Sequence, residues 1–432
     1  AAVLMDIAQA ETGKARAYAQ EEVIDVVLTA RHYAQVGPKL LADRKVKGVL
    51  PGATSVRVRY QPKGVVGVIS PWNYPLTLAV SDGVAALMAG NAVVVKPDSQ
   101  TPYCALAVAE LLYEAGLPRE LFAVVPGPGG VVGQAIVAQT DYVMFTGSSA
   151  TGATLAEQAG RRLIGFSAEL GGKNPMIVTA GANIAKAVEG AARACYSNSG
   201  QLCISIERIY VHRAVADEFT EKFAEHVRGM KLAATYDFGA DMGSLASAAQ
   251  VDTVDAHVAD AVAKGATVLA GGKRRADLGP FFFEPTVLTG VTAEATCYAD
   301  ETFGPVVSVY PVDSVDEAIK LANDTEYGLN ASVWAGSSAE AQKIAEQLHA
   351  GTVNINEGYA AAWASTAAPM GGMGISGVGR RHGEEGLLKY CESQTIAEQR
   401  FLGMDQAPGV PKDLYRAATP TVLRALRYLP GR

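Results

Sequence analysis

The sequence is short of charge, of cysteine and of long apolar runs, and each shortage excludes something. Charged residues fill 19% of its 432 positions and the formal net charge is −7. A nucleic-acid binder would carry a basic stripe, so this balance argues against that class. No apolar run approaches the roughly 18 residues that a membrane-spanning helix needs, so no transmembrane segment is expected. Asp6 and Glu11 interrupt any early apolar stretch and no basic segment precedes it, so no secretion signal is expected. The first residue is Ala, not Met, which places the expected native N-terminus upstream. The five cysteines (Cys104, Cys195, Cys203, Cys297 and Cys391) form no CxxC pair and are odd in number. Neither a disulfide framework nor a metal site is therefore expected, and a cytoplasmic location fits.

Hydrophobic residues make up 49% of the chain, with 45 glycines and 20 prolines spread along it. That is enough apolar material, over enough length, for two or three packed domains with many tight turns. From Gly64 onward, short β-rich runs alternate with helical stretches. Val65–Ile69, Ala92–Val95, Leu121–Val125, Tyr142–Phe145 and Leu163–Phe166 read as strands. Helices are expected up to Ala89, over Pro102–Ala115, from the glycine-rich turn Gly127–Gly130 to Ala138, and from Ser148. Such alternation predicts an α/β fold, a parallel sheet covered on both faces. Ligands of such sheets bind beyond the carboxyl ends of the strands. A second pattern of the same kind starts at Asn174, with strands at Met176–Val178, Arg208–Val211, Val306–Tyr310 and Ala331–Trp334. Its helices are expected through Cys195, over Val215–Met230 and over Ser314–Ala322. Ser55–Gln61 alternates residue by residue and reads as one strand of a separate hairpin. After Phe401 a proline-broken tail carries Leu414, Val422, Leu423, Leu426 and Leu429 among Lys412, Arg416, Arg424, Arg427 and Arg432. It reads as a helix docked on its own or a neighbouring subunit, or else as an interfacial membrane contact.

Several strand ends carry chemistry. Cys203 closes Ser-Asn-Ser-Gly-Gln-Leu-Cys, a small polar turn that could expose a thiol; a thiolate there would be a nucleophile. Taken singly, a cysteine is as readily a small buried hydrophobe. Glu169 precedes two glycines at a strand end and could serve as a general base, or as a helix cap or surface ion pair. Asn73 in Pro71-Trp-Asn-Tyr-Pro75 could donate to a developing oxyanion, or could simply open the next helix through an Asx-turn. Lys96 and the Phe145-Thr-Gly-Ser148 turn could meet a cofactor's ribose and phosphates, although no GxGxxG fingerprint marks this sheet.

These pieces occur in one order with Glu-Leu-Gly-Gly-Lys173, Glu301-Thr-Phe-Gly-Pro305, Pro369-Met-Gly-Gly372 and Ser376-Gly-Val-Gly-Arg380. Together they resemble the aldehyde dehydrogenase superfamily over nearly the whole chain, as far as Gln399. The separation of Glu169 from Cys203 matches as well. Within the superfamily the chain looks most like bacterial succinate-semialdehyde dehydrogenases that prefer NADP. The resemblance implies an aldehyde oxidised to a carboxylic acid through a thioester on Cys203. Glu169 would activate water, and Asn73 would help to hold the oxyanion. It implies cofactor contacts from Trp72, Lys96, Ser99, Gly147, Ser148, Gly171, Glu301 and Phe303, with NADP preferred and NAD possible. Tyr74, Tyr359 and Trp363 could line a substrate tunnel or pack a core. It further implies a cofactor domain at 1–43 and 63–171 lacking its N-terminal part, and a catalytic domain at 172–376. A bridging arm at 44–62 and 390–400 would support a homodimer or homotetramer, and a C-terminal extension covers 401–432.

The resemblance has departures. Ser99 stands where NAD-preferring members carry Glu, which leaves room for a 2′-phosphate. Ser81 and Ser197 stand where the better-known succinate-semialdehyde enzymes carry a carboxylate-binding arginine, and Arg381 replaces an acidic residue. A dehydrogenase for aromatic or longer aliphatic aldehydes is the first alternative. A catalytically dead scaffold and a cofactor-free thiol esterase are others.

Overall fold

The computed structural model describes residues 1–49, 53–400 and 409–428. Two large sheets organise them. The first has six strands in the order Gly377–Val378, Gly165–Glu169, Tyr142–Thr146, Val65–Ile69, Ala92–Lys96 and Phe122–Val124. All its pairings are parallel except that of Gly377–Val378, which returns antiparallel beside Gly165–Glu169. The second has seven strands in the order Thr267–Ala270, Thr286–Thr289, Val306–Val312, Ile206–His212, Asn174–Val178, Asn330–Trp334 and Thr352–Ile355. Its one antiparallel pairing is at the edge, between Thr267–Ala270 and Thr286–Thr289. Val66, Val68, Val93 and Val95 of the first sheet are buried, as are Ile209, Val211, Val307 and Val309 of the second. β-Branched residues suit strands packed on both faces, and parallel crossovers demand such packing.

The helices that follow the first sheet's strands begin where the backbone asks for it. Pro75 and Pro102 open Pro75–Met88 and Pro102–Glu114, where a missing N–H costs nothing. Two N-terminal helices, Ala2–Thr12 and Arg16–Leu40, precede the alternating pattern. Arg16–Leu40 lies along Pro75–Met88 and shares its core with Leu76, Ala79 and Val80.

Three expectations are corrected. The strand expected at Leu163–Phe166 begins at Gly165, because Leu163 turns left-handed (φ 56°) to end the helix Ser149–Arg162. The glycine-rich turn merges into a wide helical turn at Gly129–Gly133 before Gln134–Gln139. Ser55–Gln61 does pair antiparallel with Arg44–Lys47, but it is the centre of three strands. Thr54–Pro62 also pairs along its whole length with Cys391–Gln399, which arrives from far along the chain. Its alternation reflects one half-buried face and one exposed face. The Gly52 end of that segment lies outside the described residues.

Lys412–Leu426 forms the expected tail helix, and its Leu414, Val422 and Leu423 stay exposed instead of docking on this chain. Phe401, Leu429 and Arg432 lie outside the described residues. Among the described residues, no helix is long and apolar enough to cross a membrane.

Candidate active site

Asn73 follows the strand Val65–Ile69 and is buried. Its side-chain amide donates to the carbonyl of Gln201 at 3.0 Å. Its own carbonyl accepts from Lys14 Nζ at 2.7 Å and from the Asn198 amide at 3.0 Å. An amide nitrogen carries two protons, so one N–H of Asn73 remains for a further acceptor.

The chain reaches Cys203 through a forced turn. The helix Ile184–Tyr196 ends, and Asn198, Ser199 and Gly200 follow in left-handed conformations (φ 52°, 60° and 68°). Each non-glycine residue so placed costs about 1–3 kcal/mol, which surrounding bonds must offset. Asn198 donates to the carbonyls of Asn73 and Gln201, and the Ser199 hydroxyl to that of Gly243. At Gly200 a Cβ would lie 2.1 Å from the carbonyl oxygen of Gly304, so only glycine fits. The result is a half-buried Cys203 ahead of the strand Ile206–His212, with its carbonyl held by the Asn174 amide at 2.7 Å.

Cys203 lies where two cavities meet. One, of about 250 Å³, is lined by Trp72, Gly147, Ser148, Glu169, Gly171, Glu301 and Phe303, together with Asn73 and Cys203. Its walls are the turns that follow Val65–Ile69, Tyr142–Thr146 and Gly165–Glu169, at the carboxyl ends of those strands. The other has Tyr74, Leu78, Leu202, Ile204, Tyr359, Trp363 and Met370 around the same two residues.

The surroundings of Cys203 favour its thiol over its thiolate. Burial pushes the Cys203 thiol up to about 12, reinforced by the carboxylates of Glu301 and Glu169 and opposed by Arg381. Burial also raises Glu169 to about 7, with Arg381 and Lys389 pulling the other way. A carboxyl poised there can exchange protons near neutral pH.

The cofactor-side residues divide into two groups. Trp72 and Phe303 stand edge to face, 5.5 Å between ring centres. Phe303 is itself left-handed (φ 52°), pinned because the Thr302 and Phe303 N–H groups donate to Glu207, which is in turn paired with buried Lys173. Ser148 caps the helix Ser149–Arg162, whose first amides point at this end of the sheet. Glu301 accepts from the Gly172 N–H at 2.8 Å, and burial pushes its carboxyl up to about 8. A Cβ on Gly171 would sit 2.4 Å from Glu301 Oε2, so glycine keeps this wall open. Lys96 ends the neighbouring strand, Ser99 follows it, and both lie outside the lining of this cavity. Lys96 is buried and its ammonium lowered by that burial, while the exposed Ser99 donates to the Gly127 carbonyl at 3.0 Å. An open glycine wall, a helix N-terminus and a carboxylate within one groove fit a dinucleotide.

The aromatic residues Tyr74, Tyr359 and Trp363 do come together around the second cavity. Tyr359 bonds to Ser197 at 2.9 Å and to Glu21 at 3.2 Å, and Glu21 pairs with Arg193. Ser81 is bonded to Asp25, and neither Ser81 nor Ser197 lines this cavity. Lys14 and Glu21 carried no signal in the sequence, and Arg381, marked there only as replacing an acidic residue, is a wall of the second cavity. Lys14 lies between the two N-terminal helices and Glu21 within the second, and Arg381 stands beside a glycine-rich motif without showing where it points.

The sequence model described as "Aldehyde dehydrogenase family" matches residues 1–396. A Mycolicibacterium smegmatis protein named "Putative succinate-semialdehyde dehydrogenase (NADP+)" is 69% identical over 429 residues, covering 99% of this chain and 83% of that protein. The rat protein named "Succinate-semialdehyde dehydrogenase, mitochondrial" is 37% identical over 401 residues, 91% of this chain and 75% of its own length. Among solved structures, an NAD+ complex of an aldehyde dehydrogenase from Bacillus cereus superposes with a TM-score of 0.87 at 36% identity, covering 92% of this chain and 80% of that one. A structure described as an E. coli NADP dependent enzyme gives 0.87 at 35% identity, with 92% and 82% covered.

Proposed function

This chain belongs to the aldehyde dehydrogenase family, and from that membership we propose that it oxidises succinate semialdehyde to succinate with NADP as the preferred acceptor and NAD as an alternative. The observation that carries the mechanism is the position of Cys203 between two cavities, with Asn73 on both and Glu169 on one. The names of the M. smegmatis and rat relatives support the substrate.

The aldehyde enters the second cavity and Cys203 Sγ, once its proton has passed to solvent, adds to its carbonyl carbon. The π pair moves to oxygen, and that oxyanion is met by the free N–H of Asn73 and the main-chain N–H of Cys203. When the carbonyl re-forms, a hydride leaves carbon and a thioester remains on Cys203; a nicotinamide held in the first cavity would supply the hydride acceptor. Trp72, Gly147, Ser148, Gly171, Glu301 and Phe303 would hold it, with Lys96 and Ser99 toward the adenosine end. Glu169 then takes a proton from water, the hydroxide adds to the thioester, and the acid leaves as the Cys203 thiolate is expelled.

The 1–43 and 63–171 segments serve as the cofactor domain, 172–376 as the catalytic domain, and 44–62 with 390–400 as the arm. Among the described residues, Cys391–Gln399 leaves one edge of the three-stranded sheet unpaired over nine residues, which supports a homodimer or homotetramer built on that edge. Five free cysteines support a cytoplasmic enzyme.

The apolar lining of the second cavity favours one other reading, a dehydrogenase for aromatic or longer aliphatic aldehydes. Measuring kcat/KM for succinate semialdehyde, hexanal and benzaldehyde with each cofactor tests both. A preference for hexanal or benzaldehyde would replace the first reading with the second.

A further inference from the structure

The second cavity carries charged side chains at two places. At one, Glu21 presents a carboxylate already engaged with Arg193 and Tyr359. At the other stands Arg381, the one cationic side chain among the described residues that line it. Arg381 is 8% exposed and held firmly: its main chain pairs both ways with Met370, at 2.8 and 2.7 Å. Its Nη2 donates to Asp82 at 2.9 Å and to Thr146 at 3.1 Å. Its Nε is buried and has no hydrogen-bond partner among the described residues.

Neutralising Asp82 does not require this arginine. Asp82 also receives Lys389 at 3.4 Å and the Tyr390 hydroxyl at 3.3 Å. The group of Asp82, Lys389 and Arg381 therefore carries one surplus positive charge beside the cavity. Glu169 and Asp25 are the other carboxyls in its field, and burial pushes both acids toward their neutral forms. A buried guanidinium with an idle donor is an incomplete site, because such donors are costly to leave unpaired.

We propose that Arg381 is the carboxylate anchor of the substrate cavity, receiving the distal carboxylate of the semialdehyde on the edge of its guanidinium not committed to Asp82. This rests on the succinate semialdehyde reading above. A carboxylate leaving water needs a charged partner, and a planar guanidinium fits it better than any neutral donor. Glu21 at the other charged place is engaged with Arg193 and offers no second anchor for that group. Ser81 and Ser197 contribute no charge, and the cation comes instead from a segment more than 180 residues further on, beyond residue 380.

The test compares succinate semialdehyde with butanal, its uncharged analogue of equal chain length, using full-length enzyme saturated with NADP. In Arg381→Gln the ratio of kcat/KM for the two aldehydes is expected to fall at least 100-fold, mostly through KM for the semialdehyde. Arg381→Lys should restore part of that ratio. A parent that prefers the semialdehyde, with the preference intact in Arg381→Gln, overturns the anchor alone. A parent indifferent between the aldehydes overturns the substrate reading and the anchor with it. Should Arg381→Gln fail to fold, the parent enzyme still decides through inhibition of butanal oxidation. Succinamate should inhibit at a concentration at least tenfold lower than butyramide, and equal potency would overturn the anchor.

Discussion

Lys14 reaches across 59 residues of sequence to donate to the Asn73 carbonyl at 2.7 Å, while the same ammonium pairs with Glu22. Both side chains of that pair are fully buried. Glu22 in turn accepts from the N–H groups of Leu76 and Thr77, so the pair clamps the start of Pro75–Met88 directly behind Asn73. Replacing Lys14 with Met leaves Glu22 without its cation. Breaking a buried pair in this way costs about 3–5 kcal/mol. Denaturant unfolding should show that loss together with a lower kcat; a change under about 1 kcal/mol would mean that the clamp contributes little.

Cys203→Ala should abolish aldehyde-dependent NADPH formation and leave NADP binding nearly intact, because the thiol supplies the nucleophile and only part of the cofactor groove. Turnover above a few per cent of the parent would remove Cys203 from the mechanism.

Glu169→Gln should give a burst of NADPH followed by slow turnover, since an activated water is needed after the thioester forms. In the parent, the deacylation rate should climb as pH rises through about 7, where the buried acid ionises, and the variant should lose that step. The stability effect runs oppositely. A carboxyl raised on folding contributes stability that is fully present below its unfolded value and is lost as pH rises through about 7. Rapid-quench kinetics across this range decide the assignment, and a lost burst with an unchanged later rate would reassign Glu169 to thiol activation.

Ser99→Glu should reverse the choice of cofactor. Ser99 is exposed beyond Ala92–Lys96, where a carboxylate would repel a 2′-phosphate. A charge-assisted contact is worth roughly 1.5–3 kcal/mol, so a parent preference for NADP of about ten- to a hundredfold is expected. KM should rise far more for NADP than for NAD; equal movement of the two constants, or a parent that already prefers NAD, would dismiss Ser99 as the discriminator.

Gly171→Ala should fold and yet bind NADP at least tenfold more weakly. The added Cβ meets the flexible end of Glu301 at 2.4 Å, so the carboxylate can move aside, but it then leaves its place on the cofactor wall. Thermal melts and fluorescence titration separate the two effects, and unaltered affinity would take Glu301 out of cofactor binding.

Sequence alone marked the five parallel strands of the first sheet and four of the seven strands of the second, because β-branched runs, proline starts and glycine turns are local signals; Gly377–Val378, Thr267–Ala270, Thr286–Thr289 and Thr352–Ile355 escaped it. It also marked Cys203, Glu169, Asn73 and the glycine-rich cofactor turns, whose neighbours in the chain are part of their chemistry. It misplaced the start of the strand at Gly165, since a leucine gives no warning that it will turn left-handed. It read Thr54–Pro62 as half of a hairpin, since its second partner, Cys391–Gln399, lies beyond any local pattern. Only the tertiary structure put Lys14 behind Asn73, set Glu21 against Tyr359, and turned Arg381 into the wall of the second cavity. A buried charge gains its meaning from the partner that compensates it, and such partners are chosen by the packing of distant segments, which no stretch of sequence spells out.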